Sequence, residues 1–116
     1  MTTLAQLTSM IVKFRDERNW KQFHTPKDVA ISLMLEAGEV AEHFQWRSPE
    51  EIAEHVSGHG RGEIGEELSD VLYWVLLMAH DLGIDLGEAF ERKMAKNGEK
   101  YPVDKSRDRH SKYTVL

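Results

Sequence analysis

The chain has 116 residues, a formal net charge of −5 and no cysteine. That length fits one domain with a high surface share, and the acidic balance excludes a non-specific nucleic-acid binder, which needs a basic stripe. The missing thiols exclude disulfides, thiolate metal sites and cysteine nucleophiles. Residues 1–6 lack the charged-then-apolar pattern of a secretory signal. The longest apolar run, residues 71–79, falls far short of the roughly 20 residues of a membrane span. A cytoplasmic protein without membrane contact is expected.

Leu4, Leu7, Ile11 and Phe14 recur every three to four residues and mark a first helix. A charged stretch, residues 15–21, leads into the aromatic pair Trp20 and Phe23. Thr25-Pro26 reads as an N-cap followed by proline at the first helical position. The second helix is predicted from there to about residue 46, with Val29, Leu33, Val40 and Phe44 inward. Ser48-Pro49-Glu50-Glu51 repeats the cap-plus-proline start, with Glu51 placed for a capping box, and opens a short helix to about residue 56. Gly58-His59-Gly60-Arg61-Gly62 reads as a mobile loop. The third long helix is predicted over 63–82, closed by Gly83 as a C′ glycine. A fourth covers about 86–100 and stops at Tyr101-Pro102. From Val103 the chain is polar and basic, with Lys105, Arg107, Arg109 and Lys112, and reads as an arm or a disordered tail. The expected architecture is all-α: a helical domain over 1–102, built as a bundle of four main helices, and a basic C-terminal arm over 103–116. Residues 71–79 are apolar all round. So small a monomer does not cover them, and a partner subunit is expected to complete the bundle as a homodimer or homotetramer.

Two short carboxylate pairs carry the chemistry: Glu36-Ala37-Gly38-Glu39 on the second helix and Glu67-Leu68-Ser69-Asp70 on the third. Spacing of i,i+3 puts both members of a pair on one side of a helix. In the second helix that is the side of Leu33, Val40 and Phe44; in the third the pair leads straight into the apolar run. An unpaired buried carboxylate is expensive, whereas two pairs facing each other form an oxygen cage for a hard divalent cation. With no histidine or thiolate beside them, the set suits Mg²⁺ or Mn²⁺ over Zn²⁺. A wheel of about 100° per residue places Glu39 and Trp46 on the side of Glu36, and Trp74 on the side of Glu67 and Asp70. An aromatic platform beside a cation site suits a nucleoside triphosphate, which offers a base to stack and a polyphosphate to bridge metals.

Plainer readings stand beside these. A single ExxE is more often a solvated face, and Trp20, Trp46 and Trp74 could each be core. His55 and His59 have a zinc-like spacing, but Gly58 and Gly60 interrupt a helical turn there. The Glu-x-x-His of di-iron bundles is missing, and the glycine loop lacks the Lys-Ser/Thr of a P-loop.

The stretches Phe14-Arg15-Asp16-Glu17-Arg18-Asn19-Trp20-Lys21-Gln22-Phe23-His24, Glu36-Ala37-Gly38-Glu39-Val40-Ala41-Glu42-His43-Phe44-Gln45-Trp46 and Glu66-Glu67-Leu68-Ser69-Asp70-Val71-Leu72 resemble the MazG-like all-α nucleoside triphosphate pyrophosphohydrolases, and among them the dCTP pyrophosphatase-like branch. Lys93-Met94 with Asn97, Tyr101-Pro102 and the ending Ser111-Lys112-Tyr113-Thr114 are similar too. The resemblance implies hydrolysis of a deoxynucleoside triphosphate, dCTP or a modified dCTP, to the monophosphate and pyrophosphate, in the service of nucleotide-pool cleansing. It implies Mg²⁺ held by Glu36, Glu39, Glu67 and Asp70, with Glu39 or Glu67 orienting the attacking water. Trp20, Trp46 and His24 would bind substrate, as would Trp74, standing where relatives carry a tyrosine, and Ile11, standing where they carry a histidine. Lys93 and Asn97, one helical turn apart, could reach the phosphates. The rival readings are a nucleotide sensor without turnover and an oligomeric helical scaffold.

Overall fold

The structure, a computed structural model, describes residues 1–116. They form two compact units, Met1–Gly83 and Ile84–Leu116. The first holds α1 (Leu4–Glu17), α2 (Pro26–Glu42), α3 (Pro49–Ser57) and α4 (Gly60–Asp81). The second holds α5 (Leu86–Lys100), α6 (Val103–Ser106) and a terminal 3-10 turn, Tyr113–Val115. There is no strand, as the sequence pattern predicts, and no helix is long and apolar enough to cross a membrane.

Side-chain caps set the helix starts. Thr3 Oγ1 accepts from the Gln6 amide at 3.1 Å while Gln6 Oε1 accepts from the Thr3 amide at 2.8 Å, a reciprocal box that opens α1. Thr25 Oγ1 accepts from the Asp28 amide at 3.2 Å ahead of Pro26. Ser48 and Glu51 form the second box, at 3.2 and 3.0 Å, so both predicted cap-plus-proline starts occur in place.

Two boundaries differ from expectation. The second helix stops at Glu42 rather than near Trp46, and residues 43–46 turn. Trp46 adopts φ 68, in the left-handed region, and Pro49 three residues on forbids a continuous helix into α3. The glycine segment is not a mobile loop. The chain breaks at Gly58, and Gly60, Arg61 and Gly62 already belong to α4. Gly60 is buried, and a Cβ there would overlap the His55 ring. Its glycine therefore serves a close approach between α3 and α4 rather than flexibility. At the other end of α4, Gly83 takes φ 67 just past the helix, as a C′ glycine should.

α4 is the axis of the first unit, packing most extensively on α2, then on α1 and α3. The buried apolar side chains are few: Val29 from α2 and Leu76, Leu77 and Ala79 from α4. The run 71–79 is thus not buried all round within the chain, since Leu72 remains 38% exposed. The other fixed point is ionic. Arg15, in the last turn of α1 and 1% exposed, meets Asp81 at the end of α4 with a two-pronged contact of 2.7 and 2.9 Å.

In the second unit, the Asp85 side chain caps α5 by accepting from the Glu88 amide at 3.1 Å. Tyr113 meets Tyr101 edge-on at 5.9 Å, and the Lys100 ammonium lies 4.9 Å from the Tyr113 ring centre. The basic segment from Val103 is thereby drawn onto the end of α5.

Candidate active site

α2 carries Glu36 and Glu39, α4 carries Glu67 and Asp70, and the pairing of these helices brings the four together. One carboxylate oxygen from each lies within 4.8 Å of the others. Glu36 Oε2 and Glu67 Oε2 are buried without a hydrogen-bond partner. Burial pushes the Glu36 carboxyl up to about 7, helped by the Glu39 carboxyl close beside it and by the charges of Asp70 and Glu67. Glu67 is also raised, first by the close approach of the Glu39 carboxyl, then by burial and by the charges of Glu39 and Asp70. Buried lone pairs without donors and mutually repelling charges are what a divalent cation satisfies. The donor set fits a hard cation such as Mg²⁺, and no histidine belongs to it.

Beside the carboxylates opens a cleft of about 460 Å³, within the usual range of small-molecule sites. Glu36 and Asp70 form its polar edge, and its walls are largely aromatic: Phe14, Trp20, Tyr73 and Trp74. Met10, Ile11 and His24 complete it. The rings brace one another edge-to-face, Phe14 on Trp20 at 5.8 Å, Tyr73 on Trp74 at 4.9 Å and His24 on Trp74 at 5.4 Å, an arrangement that favours a fixed shape. Asn19, at φ 53, makes the turn after α1 that brings Trp20 back towards Phe14. Burial, followed by the Arg15 charge, lowers His24 below the ordinary histidine value, and its Nδ1 is buried without a partner. It is a neutral polar group on an apolar wall, suited to hydrogen-bonding a base or sugar.

Of the residues singled out in the sequence, Ile11, Trp20, His24, Trp74, Glu36 and Asp70 line this single cleft, and Glu39 and Glu67 complete the carboxylate cluster behind it. Trp46 does not line it. The helix that was to carry it on the carboxylate face ends four residues earlier, and it is 91% exposed, so it is not core either. Lys93 and Asn97 belong to α5 in the second unit; Lys93 is exposed and Asn97 Nδ2 contacts Met94 Sδ at 3.7 Å. Phe14 and Tyr73 are lining residues absent from the sequence-based set, though each stands three residues from a member of it, Ile11 and Asp70 respectively. His55 pairs not with His59 but with His43, Nε2 to Nδ1 at 3.0 Å, while His59 stands at the start of α4 without a side-chain capping bond.

Residues 31–116 match the model of the MazG-like family. The chain is 39% identical to dCTP pyrophosphatase 1 of Bos taurus and 37% identical to that of Homo sapiens, in each case over 98% of this chain and 68% of the relative. A crystal structure of a pyrophosphatase from Archaeoglobus fulgidus is similar in fold, with a TM-score of 0.80 and 40% identity, over 88% of this chain and 94% of the other. The chain belongs to the MazG-like family. Within it, the protein is a nucleoside triphosphate pyrophosphohydrolase.

Proposed function

We propose that the protein hydrolyses dCTP, or dCTP modified on its base, to the monophosphate and pyrophosphate, removing it from the cytoplasmic nucleotide pool. The observation that carries this is the joining of two features at Glu36 and Asp70: a four-carboxylate cluster within 4.8 Å and an aromatic cleft of nucleoside size. The substrate reading is supported by the dCTP pyrophosphatases at 37–39% identity.

Glu36, Glu39, Glu67 and Asp70 would hold Mg²⁺, with Mn²⁺ acceptable to the same oxygens. When bound, that ion supplies positive charge opposite the phosphate oxygens. The chain's own residues do the rest. Trp20 and Trp74 grip the base between aromatic faces, with Phe14 and Tyr73 holding those rings in place, and Ile11 fills the wall beside them. His24 offers a neutral ring nitrogen to the base or sugar. Glu39 or Glu67 fixes a water in line with the α-phosphorus and takes its proton as the new P–O bond forms. The bond from the α-phosphorus to the bridging oxygen breaks, and pyrophosphate leaves.

Ile31, Met34, Leu35, Leu68 and Leu72 are exposed apolar side chains on the two helices that carry the carboxylates. They support assembly as a homodimer or homotetramer, in which exposed Trp46 becomes available to a base.

A panel of ordinary and 5-modified triphosphates, with products separated by ion exchange, tests the reading. Cytosine deoxynucleotides should be turned over fastest, giving monophosphate and pyrophosphate, and excess EDTA should stop the reaction. Release of orthophosphate, or full activity in EDTA, would overturn it.

A further inference from the structure

One helical turn along the α2–α4 seam from the carboxylates lies a second group of ligating side chains. His43 follows Glu39 by four residues, and Glu63 precedes Glu67 by four. Both therefore continue the helix faces that carry the carboxylate cluster; His43, the C-cap of α2, still has helical dihedrals of −65° and −21°. His55, from α3, closes the group. His43 Nδ1 and His55 Nε2 are 3.0 Å apart, with the rings stacked at 5.2 Å and 25°. One ligating atom from each of His43, His55 and Glu63 lies within 4.8 Å of the other two. The His55 ring occupies this position only because residue 60 is a buried glycine, whose Cβ would otherwise overlap the imidazole. A hydrogen bond between two imidazoles explains one contact, but neither the third ligand nor the ring seated over a glycine.

We propose that His43, His55 and Glu63 form a second divalent-cation site, selective for a borderline transition ion such as Zn²⁺ and distinct from the all-oxygen cluster. Two imidazole nitrogens and a carboxylate are a donor set Zn²⁺ accepts while keeping a fourth position open. Two Zn–N bonds of about 2.1 Å at a tetrahedral angle separate their nitrogens by roughly 3.4 Å, so the ion enters as the two rings turn apart. Nitrogen donors also reject Mg²⁺ in favour of later transition ions. Arg47, whose guanidinium donates to the His43 carbonyl, sets a positive charge at the edge of the site, and the Glu63 carboxylate offsets it. An ion here ties the end of α2, α3 and the first turn of α4 together, next to Glu39 and Glu67. The site does not depend on which triphosphate the enzyme hydrolyses.

The test uses the full chain stripped of metal, then given Mg²⁺ in large excess to fill the carboxylate cluster. Co²⁺ serves as the spectroscopic stand-in for Zn²⁺. One equivalent should bind and give the intense visible absorption of four-coordinate cobalt, and Zn²⁺ should displace it. His43→Ala and His55→Ala should weaken binding by at least the ~10–100-fold that loss of an outer-shell partner alone causes. Gly60→Ala, which keeps all three ligands, should weaken it by pushing the His55 ring aside, whereas Glu36→Gln should leave the band in place. If His55→Ala does not fold, His55→Gln is read by the same band. No cobalt band in the presence of Mg²⁺ overturns the site and leaves a hydrogen-bonded histidine pair. A band that survives His55→Ala, or disappears with Glu36→Gln, overturns it equally, by placing the ion elsewhere.

Discussion

The first unit gathers charge in two places and treats it in opposite ways. At the ends of α1 and α4, Arg15 and Asp81 meet as opposite charges with two matched contacts, and hydrogen bonding with Arg15 holds the Asp81 carboxyl below its usual value. Along the α2–α4 seam, four like charges converge with buried oxygens unpartnered, and the Glu36 carboxyl rises to about 7. The first arrangement is complete in itself and serves the fold. The second is complete only with something positive added, which is the mark of a site rather than a brace.

The largest effect expected from breaking this contrast is at the ion pair. Arg15→Ala leaves the Asp81 carboxylate partly buried and alone, and should destabilise the protein by about 3–5 kcal/mol, read as a drop in denaturation midpoint. Glu39→Gln should do the reverse. Removing one of four repelling charges should preserve or raise the stability of the metal-free protein while abolishing turnover; a variant that unfolds would show Glu39 to be structural. The cation itself comes next. Mg²⁺ at a hundredfold excess over its dissociation constant should stabilise the wild type by about 2.7 kcal/mol through mass action, and a melting temperature unmoved by Mg²⁺ would refute the site.

Trp46 gives a smaller and cleaner effect, because a side chain 91% exposed can be truncated with little change in stability. Trp46→Ala should raise KM for dCTP about ten- to a hundredfold if it stacks on the base, at roughly 1–3 kcal/mol per stacked base. The fall in kcat should be smaller. An unchanged KM removes Trp46 from the substrate site.

The finest effect lies in the pH dependence. Glu36 has a folded value above its ordinary one, so the folded state binds the extra proton. Its contribution to stability is fully present below 4.5 and is lost as pH rises through about 7. Asp81 has the opposite sign, its contribution being present above 3.8 and lost as pH falls through the lower folded value. Urea titrations of metal-free protein across both windows should show stability rising and then falling with pH. Glu36→Gln should lessen the upper limb, leaving the part that Glu67 supplies, and an upper limb unchanged in that variant would contradict the assignment.

Local chemistry made much of this legible in the sequence. The two cap-plus-proline starts, the C′ glycine and both carboxylate pairs follow from rules that act within a few residues, and they appear where those rules place them. Thr3 and Gln6 carry a box signature as plain as that of Ser48 and Glu51. Phe14 and Tyr73 are readable as cleft residues from their three-residue offsets to Ile11 and Asp70. What fails is long-range or depends on a boundary. Arg15 sits in a charged stretch, and nothing local announces a partner 66 residues away. The wheel that carried Trp46 onto the carboxylate face assumed a helix that Pro49 and a left-handed residue terminate. His43 and His55 are twelve residues apart across a proline, a separation with no helical meaning until α3 folds back.

Because each carboxylate pair rides on a helix rather than a loop, the geometry of the cluster is a matter of helical phase. Adding or deleting one residue upstream in α2 turns every later side chain by about 100° and shifts it by about 1.5 Å, swinging both Glu36 and Glu39 out of register with Glu67 and Asp70. A change of length is therefore best accommodated in the turns, at residues 18–25 and 43–48, where an extra residue leaves the phase of α2 against α4 untouched.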